Sequence, residues 1–342
     1  MLSTTSRRIA AIMAVDHPGG AETALLRFLS RLSARGWRVT LTTPRGGPLR
    51  DTALGAGYEW RALPLGGLAR GAGRRAVASW PAARRLAREH DVIYLNGAVC
   101  GRVLPALGAR PVRVLHVHDM VDRVPRFWKR ADVVLADSGA VAGRLRGLEA
   151  HVVFAPVESE PPLAAAPWRT GNGPVVGFVG RIEPRKGPLD LVRAAAAIRR
   201  GAPGAQLVVV GDDPFGADPD YTASVIESPE VDHHPWSDNA PGLMRHLDVL
   251  VLPSYQEPFG TVLAEAMAVG TPVVATRVDG LPEVVADGLT GRLVEPGDPD
   301  GLAAGVLEVL ARREEMGRAA REHARRFEAD DYALRVERLL SR

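Results

Sequence analysis

The chain has 342 residues, of which 46% are hydrophobic and 24% are charged, and its formal net charge is +3 at pH 7. This length allows two domains with buried cores, and the apolar fraction excludes a disordered chain. The single cysteine, Cys100, excludes a disulfide scaffold, and no uncharged apolar run approaches the roughly 18 residues of a membrane span. We therefore expect a cytoplasmic protein.

Short β-rich apolar runs alternate with longer helical patterns in the first half of the chain. Residues 9–15 are too few for the apolar core of a signal peptide, so they predict the first strand. Leu25, Phe28 and Leu32 then recur at helical spacing, and Gly36 is a typical helix end. Further strands are predicted at residues 37–43, 92–95, 112–117, 133–136 and 152–154. Runs that are apolar on both faces are typical of a parallel sheet covered by helices.

A proline- and glycine-rich stretch at residues 155–173 interrupts this alternation and predicts a linker. Beyond it, strands are predicted at residues 175–179, 207–210, 248–252, 273–275 and 291–294, with final helices at residues 302–326 and 332–340. The sequence thus predicts an α/β protein of two Rossmann-like, doubly wound parallel-sheet domains that face each other across a cleft. We place these domains at residues 1–160 and 161–327, and we expect the C-terminal helix, residues 328–342, to pack back on the first domain.

The charge is distributed unevenly between the two halves. Residues 1–165 carry 24 Lys and Arg against 13 Asp and Glu, whereas residues 166–342 carry 19 against 27. Part of the basic excess is a stretch of six arginines, Arg70, Arg74, Arg75, Arg84, Arg85 and Arg88. This stretch favours a solvated helix face in an arginine-rich protein, and a peripheral contact with an anionic membrane or an acidic acceptor is the alternative. Because no aromatic residues are interleaved with a basic motif, we do not expect a nucleic-acid partner.

No metal site is predicted. The Asp-Pro-Asp triplets at residues 218–220 and 298–300 resemble paired metal ligands, but they lie in proline- and glycine-rich loops where such acids commonly cap turns. His116 and His118 share one side of a predicted strand and could form a metal pair. The sequence offers no further evident ligand for them, so a buried structural histidine is the stronger alternative.

Two motifs in the second half carry recognisable chemistry. The first, GRIEPRKG, directly follows the predicted strand at residues 175–179 and presents Arg181 and Lys186. Arginine binds a diphosphate through a planar fork and lysine through a point charge, so the loop suits a diphosphate. The second motif, PSYQEPFG, precedes a predicted helix that carries Glu265, and its loop carries Glu257. The amides at this helix start could hold an anion, and the two carboxylates could accept hydrogen bonds from sugar hydroxyls.

These motifs resemble those of retaining glycosyltransferases of family four, which have the GT-B fold. The resemblance rests on two glutamates separated by seven residues within PSYQEPFGTVLAEAMAVGTPVVAT and on the GR-x-x-x-x-KG pattern of the first loop. It covers nearly the whole chain and is strongest between residues 175 and 296. It implies that Arg181 and Lys186 bind the diphosphate of a nucleotide-sugar donor, Glu265 the ribose, and Glu257 the hydroxyls of the transferred sugar. The backbone of Phe259, Gly260 and Thr261 would meet the sugar and phosphate.

The first half extends the resemblance. The loop DHPGGAE, with Gly19 and Gly20, is similar to the family's glycine loop, where the backbone approaches the donor phosphate and the acceptor. The family also has a histidine that lines the sugar site, for which His118 matches better and His116 is a competitor. Two segments depart from the family pattern. Glu158 stands where an aspartate is commoner, and residues 231–236 replace a glycine-containing turn near the nucleobase.

The resemblance implies a hexosyltransferase that needs no metal or other cofactor and retains the anomeric configuration of the sugar. Its donor would be a UDP-, GDP-, ADP- or dTDP-sugar. Its acceptor would be a hydroxyl group of a saccharide, a lipid-linked glycan or a small natural product. The alternatives are a nucleotide-sugar epimerase or hydrolase of the same fold, a glycan phosphorylase, and a non-catalytic subunit that binds nucleotide sugars. A phosphorylase would need a cofactor lysine site that the sequence does not offer.

Overall fold

The computed structural model describes residues 6–66, 73–168, 171, 173–214, 216 and 218–340. The chain divides into two compact units, each built around its own sheet. Unit 1 comprises Met1–Pro156 together with Ala329–Arg342, and unit 2 comprises Val157–Glu328. Each unit is described separately below.

The sheet of unit 1 has seven parallel strands in the order β3-β2-β1-β4-β5-β6-β7 among the described residues. The strands are β1 (Arg8–Met13), β2 (Arg38–Thr43), β3 (Glu59–Ala62), β4 (Val92–Asn96), β5 (Val112–Val117), β6 (Val133–Ala136) and β7 (His151–Val152). The helices of this unit are α1 (Gly20–Ala34), α2 (Pro48–Gly55), α3 (Gly73–Ala78), α4 (Trp80–Glu89), α5 (Gly139–Arg144) and, from the end of the chain, α13 (Ala329–Leu340).

Helices cover both faces of this sheet. Alternate side chains of β1 point to opposite faces, so Ile9 and Met13 pack with Phe28 of α1 in one apolar cluster, and Ile12 packs with Leu86 of α4 in another. Helix α13 contributes Tyr332 to the first cluster. The arginines of α4 lie on its exposed side. Of the basic stretch predicted from the sequence, Arg70 lies outside the described residues.

The sheet of unit 2 has six parallel strands in the order β10-β9-β8-β11-β12-β13 among the described residues. The strands are β8 (Val175–Val179), β9 (Gln206–Val210), β10 (Asp232–His234), β11 (Val249–Leu252), β12 (Val273–Thr276) and β13 (Gly291–Val294). The helices are α6 (Pro188–Gly201), α7 (Pro219–Ile226), α8 (Ala240–Met244), α9 (Thr261–Ala268), α10 (Leu281–Val284), α11 (Pro299–Ala311) and α12 (Arg313–Ala324).

The structure differs from the sequence-based expectations at three places. Strands β3 and β10 were not predicted, and β10 lies within residues 231–236, one of the two segments that depart from the family pattern. The helix expected at residues 302–326 is interrupted at Arg312, between α11 and α12. The two Asp-Pro-Asp triplets cap helices, as expected of acids in such loops: Asp218 accepts a hydrogen bond from the Tyr221 amide and Asp298 from the Gly301 amide.

In both sheets the strand order reverses beside the first strand. In unit 1 this happens between β1 and β4, and in unit 2 between β8 and β11. In open α/β sheets of this kind, ligands bind outside the carboxyl ends of the strands at the reversal point. The loops that follow these four strands are therefore the places where a ligand is expected.

Candidate functional site

The two sequence motifs of unit 2 lie against each other. The loop with residues 180–187 follows β8, and the loop with residues 253–260 follows the neighbouring strand β11. The amide of Tyr255 donates to the carbonyl oxygen of Arg185 at 2.8 Å, and the Arg185 guanidinium donates to the carbonyl oxygen of Gln256 at 2.8 Å. Because β8 and β11 are adjacent parallel strands, the loops at their carboxyl ends contact each other although they are about 70 residues apart in the chain.

Glycine at position 187 makes this close approach possible. Gly187 has a φ of 68°, in the left-handed region that side chains disfavour. A Cβ atom at this position would lie 2.1 Å from the carbonyl oxygen of Pro253. Any larger residue would therefore force the two loops apart.

The cations of the first loop are paired with two carboxylates. Lys186 Nζ forms an ion pair with Glu257 Oε2, and the two side chains are 14% and 9% exposed. Glu183 Oε1 lies 3.3 Å from Arg181 Nη2 and 2.8 Å from Arg185 Nη2. A bound phosphate would add a third anion beside Glu183 and Glu257, so it would compete with these carboxylates for the cations.

Helix α9 starts at the end of the second loop. Its N-cap is Gly260, with a φ of 85°, and no side chain caps the first turn. Glu265 is half-buried on this helix. The Phe259 side chain is buried and meets Phe327 edge to face, with ring centroids 5.6 Å apart. The Phe259 side chain is therefore packed into the unit, whereas Thr261 is half-buried at the first position of the helix.

The glycine loop of unit 1 occupies the corresponding place after β1. Gly19 is the N-cap of α1, and Gly20 is its first residue. A Cβ atom on Gly19 would lie 2.8 Å from Glu22 Oε2, so the loop lies close to this carboxylate. Asn96, the last residue of β4, reaches the same turn through its side-chain amide, which donates to the carbonyl oxygen of Ala21 at 3.4 Å.

A buried polar network surrounds His118 in unit 1. Its Nδ1 lies 2.7 Å from Asp137 Oδ2, and its Nε2 lies 2.8 Å from Asn96 Oδ1. His116 Nε2 lies 2.7 Å from the other oxygen of Asp137, although without the alignment of a hydrogen bond, and His116 Nδ1 lies 2.7 Å from the hydroxyl of Tyr94. Both ring nitrogens of His118 are thus engaged, and Asn96 connects it to the glycine loop.

The network shifts the pKa values of the two histidines in opposite directions. Burial, followed by the charge of His118, lowers the pKa of His116 to about 4. Burial would also lower the pKa of His118, but Asp137 outweighs it and raises that pKa above its usual value. Burial opposes ionisation of Asp137, yet the two imidazoles hold its pKa far below the usual range. His118 is therefore the histidine that holds a proton more readily, and Asp137 is the carboxylate that favours its charged form.

One group among the described residues could hold a metal ion. It consists of His116, His118 and Asp137, whose ligand atoms lie within 4.8 Å of one another. The sequence analysis found no third ligand beside the two histidines, and Asp137 is that residue. Each carboxylate oxygen of Asp137 faces a different imidazole, which is the pattern of an ion-paired bridge. Asp137 follows β6 and Asn96 ends β4, and polar residues at the carboxyl ends of apolar strands were the signal that could have identified both.

In the described part of the chain, none of the helices combines the length and the apolar character that crossing a bilayer requires.

Two family models match the chain. Residues 18–160 match the model described as Glycosyltransferase Family 4, and residues 173–312 match the model described as Glycosyl transferases group 1. Together they include every residue of the candidate site.

Among curated proteins, the chain is similar to enzymes named D-inositol 3-phosphate glycosyltransferase. The protein from Segniliparus rotundus is 41% identical over 177 residues, which are 48% of this chain and 39% of the relative. The protein from Acidothermus cellulolyticus is 35% identical over 262 residues, which are 69% of this chain and 56% of the relative. The chain thus spans about half or less of the length of the curated relatives that it matches.

Solved structures share the fold over almost the full chain. Anabaena Alr3699/HepE in complex with UDP and glucose has a TM-score of 0.81 at 23% identity, covering 97% of this chain and 99% of that one. Sucrose-phosphate synthase from Thermosynechococcus elongatus has a TM-score of 0.77 at 24% identity, covering 98% of both chains. The fold is therefore GT-B, as expected from the motifs. With both halves matched by the family models, the chain belongs to the group 1, family 4 glycosyltransferases.

Proposed function

We propose that this protein is an enzyme that transfers a sugar from a nucleotide-sugar donor to an acceptor hydroxyl group, with retention of anomeric configuration and without a metal ion. The observation that carries the proposal is the contact between the Lys186 loop and the Glu257 loop at the carboxyl ends of adjacent strands, where the strand order reverses. The UDP and glucose in the Anabaena complex support a UDP-linked hexose as the first donor to test, and the names of the curated relatives support D-inositol 3-phosphate as an acceptor to include.

The leaving group of this reaction is a nucleoside diphosphate, which gains negative charge as the glycosidic bond breaks. Arg181 would hold it through its guanidinium fork, and Lys186 through a point charge. The free amides at the start of α9 would add a third positive contribution. Because these groups already supply positive charge, no metal ion is needed to stabilise the leaving diphosphate.

The two glutamates would bind the two sugar rings on either side of the diphosphate. Glu265 would accept hydrogen bonds from the ribose, and Glu257 from the transferred sugar. When a phosphate takes over part of the positive charge of Lys186, the Glu257 carboxylate gains freedom to accept a hydroxyl hydrogen bond. The ion pair of the free enzyme would thus be exchanged for two contacts with the donor.

Unit 1 would supply the glycine loop and His118. Gly19 and Gly20 let the backbone approach a phosphate or an acceptor without a side chain between them. His118 would contribute a positive charge near the reacting sugar. Since both of its nitrogens are engaged, a direct hydrogen bond to the sugar would require displacement of Asn96.

The proposal can be tested in two steps. A thermal-shift screen across UDP-, GDP-, ADP- and dTDP-sugars should identify a stabilising donor, because a ligand that binds only the folded state raises Tm. Transfer to a panel of hydroxyl acceptors, including D-inositol 3-phosphate, should then give a product with the donor's anomeric configuration by NMR. Inversion of configuration would contradict the retaining mechanism.

The same assays distinguish the alternatives. An epimerase or hydrolase would convert the donor at the same rate with and without acceptors. A non-catalytic binding subunit would show the thermal shift but no turnover with any acceptor. Rapid donor consumption that requires an acceptor would favour the transferase over both.

A further inference from the structure

Asp279 has an unusual backbone conformation. Its φ is 41°, and it is the one non-glycine residue with positive φ in the part of the chain that the structure describes. Aspartate tolerates this region better than most residues, but glycine would adopt it with less strain. A strained residue that a glycine could replace suggests that its side chain has a role at this corner.

The side chain of Asp279 contacts the loop that carries Glu257. Asp279 Oδ2 accepts a hydrogen bond from the Glu257 amide at 3.0 Å. From the same corner, the amide of Gly280 donates to the carbonyl oxygen of Glu257 at 3.1 Å. The backbone of Glu257 is therefore held on both sides by two consecutive residues of the segment between β12 and α10.

This contact fixes the backbone from which the Glu257 side chain extends. The Glu257 carboxylate is largely buried and forms the ion pair with Lys186. Leu281, next to Gly280, packs close to the other end of the loop, because a Cβ atom on Gly260 would lie 2.5 Å from Leu281 Cδ2. The corner at residues 279–281 thus supports the loop from residue 257 to residue 260.

We propose that Asp279 is a positioning residue that sets the orientation of Glu257 toward the sugar of the donor. This inference rests on the proposed function, in which Glu257 binds that sugar. The hydrogen bond to the Glu257 amide, and not the charge of Asp279, is the essential feature. Asp279→Asn keeps an acceptor oxygen and a residue that tolerates positive φ, whereas Asp279→Gly keeps the backbone conformation but removes the acceptor.

The first test does not depend on activity. Hydrogen exchange of the free enzyme should show that the amides of residues 254–260 exchange at least 10-fold faster in Asp279→Gly than in the wild-type protein, and at a near wild-type rate in Asp279→Asn. Asp248→Gly is a matched control, because Asp248 accepts a hydrogen bond from the Val175 amide at the amino end of the same sheet. It should leave exchange in residues 254–260 unchanged. Unchanged exchange in Asp279→Gly would overturn the inference.

The second test uses the donor that the screen identifies. Asp279→Gly should lower kcat/KM for transfer at least 10-fold, leave the Kd for UDP within 2-fold, and keep Tm close to wild type. Asp279→Asn should restore kcat/KM to within 3-fold of wild type. Equal losses in both variants would overturn the hydrogen-bond role. Glu257→Gln separates the role of Glu257 from the role of Asp279. If Glu257→Gln is inactive while Asp279→Gly is fully active, only the inference about Asp279 fails. If Glu257→Gln is fully active, the role proposed for Glu257 fails.

Discussion

Lys186 and Glu257 form an ion pair in which neither side chain is more than 14% exposed. The two residues lie on loops that follow adjacent strands, β8 and β11, and the pair joins these loops beside the hydrogen bond between Tyr255 and Arg185. A largely buried ion pair is sensitive to the removal of either partner, because the remaining charge loses its counter-ion. The proposed phosphate-binding lysine therefore has a structural role as well, and an experiment on it has to separate the two.

We predict that Lys186→Met lowers transfer at least about 100-fold, the usual loss when one group that stabilises a developing charge is removed. It should also destabilise unit 2 by about 1–3 kcal/mol, because Glu257 loses its close partner and keeps beside it Arg185, whose Nη1 lies 4.0 Å away. The double variant Lys186→Met, Glu257→Gln should recover most of this stability, since it buries no uncompensated charge. Urea unfolding and donor turnover should be measured on the wild-type protein and on both variants. Recovery of turnover in the double variant would contradict the catalytic role of Lys186.

We predict that Glu265→Gln weakens the binding of UDP about 10-fold or more, the loss expected when a charged acceptor of ribose hydroxyls becomes neutral. Its effect on Tm should be small, because Glu265 is only half-buried on α9. Isothermal titration calorimetry with UDP alone gives the affinity without any need for the acceptor. Glu322→Gln is a suitable control, since Glu322 lies on the exposed surface of α12 and pairs with Arg325. An unchanged UDP affinity for Glu265→Gln would exclude the ribose role.

The sequence predicted the central strands of both sheets because burial on both faces leaves an unbroken apolar run. The strand expected at residues 175–179 coincides with β8, and the one expected at residues 273–275 lies within β12. Of the edge strands, β7 and β13 were predicted, whereas β3 and β10 were missed because they lack an apolar run. β10 consists of Asp232, His233 and His234, which pair with one neighbour only and carry no apolar pattern.

The candidate site residues that lie within continuous sequence motifs could be predicted from the sequence. Arg181, Lys186, Glu257 and Glu265 were identified because each belongs to a pattern of fixed spacing next to a predicted strand or helix. Asp137 directly follows an apolar strand, which could have marked it as a candidate, but its contact with His118 could not be predicted because it depends on the order of β5 and β6 in the sheet. No local sequence pattern records that order.

We predict that transfer continues in an excess of EDTA at a rate within about 2-fold of the untreated enzyme. The physical reason is that Arg181, Lys186 and the amides of α9 already supply positive charge to the leaving diphosphate. The purified protein should also contain no stoichiometric transition metal by mass spectrometry. Loss of transfer on chelation, with recovery on addition of zinc or manganese, would instead assign a metal to His116, His118 and Asp137.

We predict that the stabilising contribution of His118 declines above pH 6.5. Asp137 raises the pKa of His118, so the charged form contributes stability fully below the unfolded-state pKa of about 6.5, and this contribution is lost as the pH rises through the folded-state pKa. His116, with its pKa lowered to about 4, stays neutral in this range. Glu22 and Asp119 also face His118, and their charges act in the same direction as that of Asp137.

The measurement for His118 is a comparison of Tm between the wild-type protein and His118→Gln from pH 6 to pH 9. The wild-type protein should be the more stable of the two at pH 6, and the difference should shrink toward pH 9, as the buried Asp137 carboxylate loses its charged partner. Because other titrating groups are common to both proteins, their effects cancel in the difference. A difference that stays constant over this range would show that folding does not raise the pKa of His118.

We predict that Gly187→Ala destabilises unit 2 and also abolishes transfer, for two separable reasons. An alanine at a φ of 68° is strained by about 1 kcal/mol, and its Cβ would lie 2.1 Å from the Pro253 carbonyl oxygen, which forces the two loops apart. Gly36→Ala isolates the first effect, because Gly36 has a φ of 86° but nothing within 4 Å of the added atom. Gly36→Ala should therefore cost about 1 kcal/mol in urea unfolding and leave transfer intact, whereas Gly187→Ala should cost clearly more. If the two variants lose equal stability and both keep full activity, close packing of the Lys186 and Glu257 loops is not needed for the reaction.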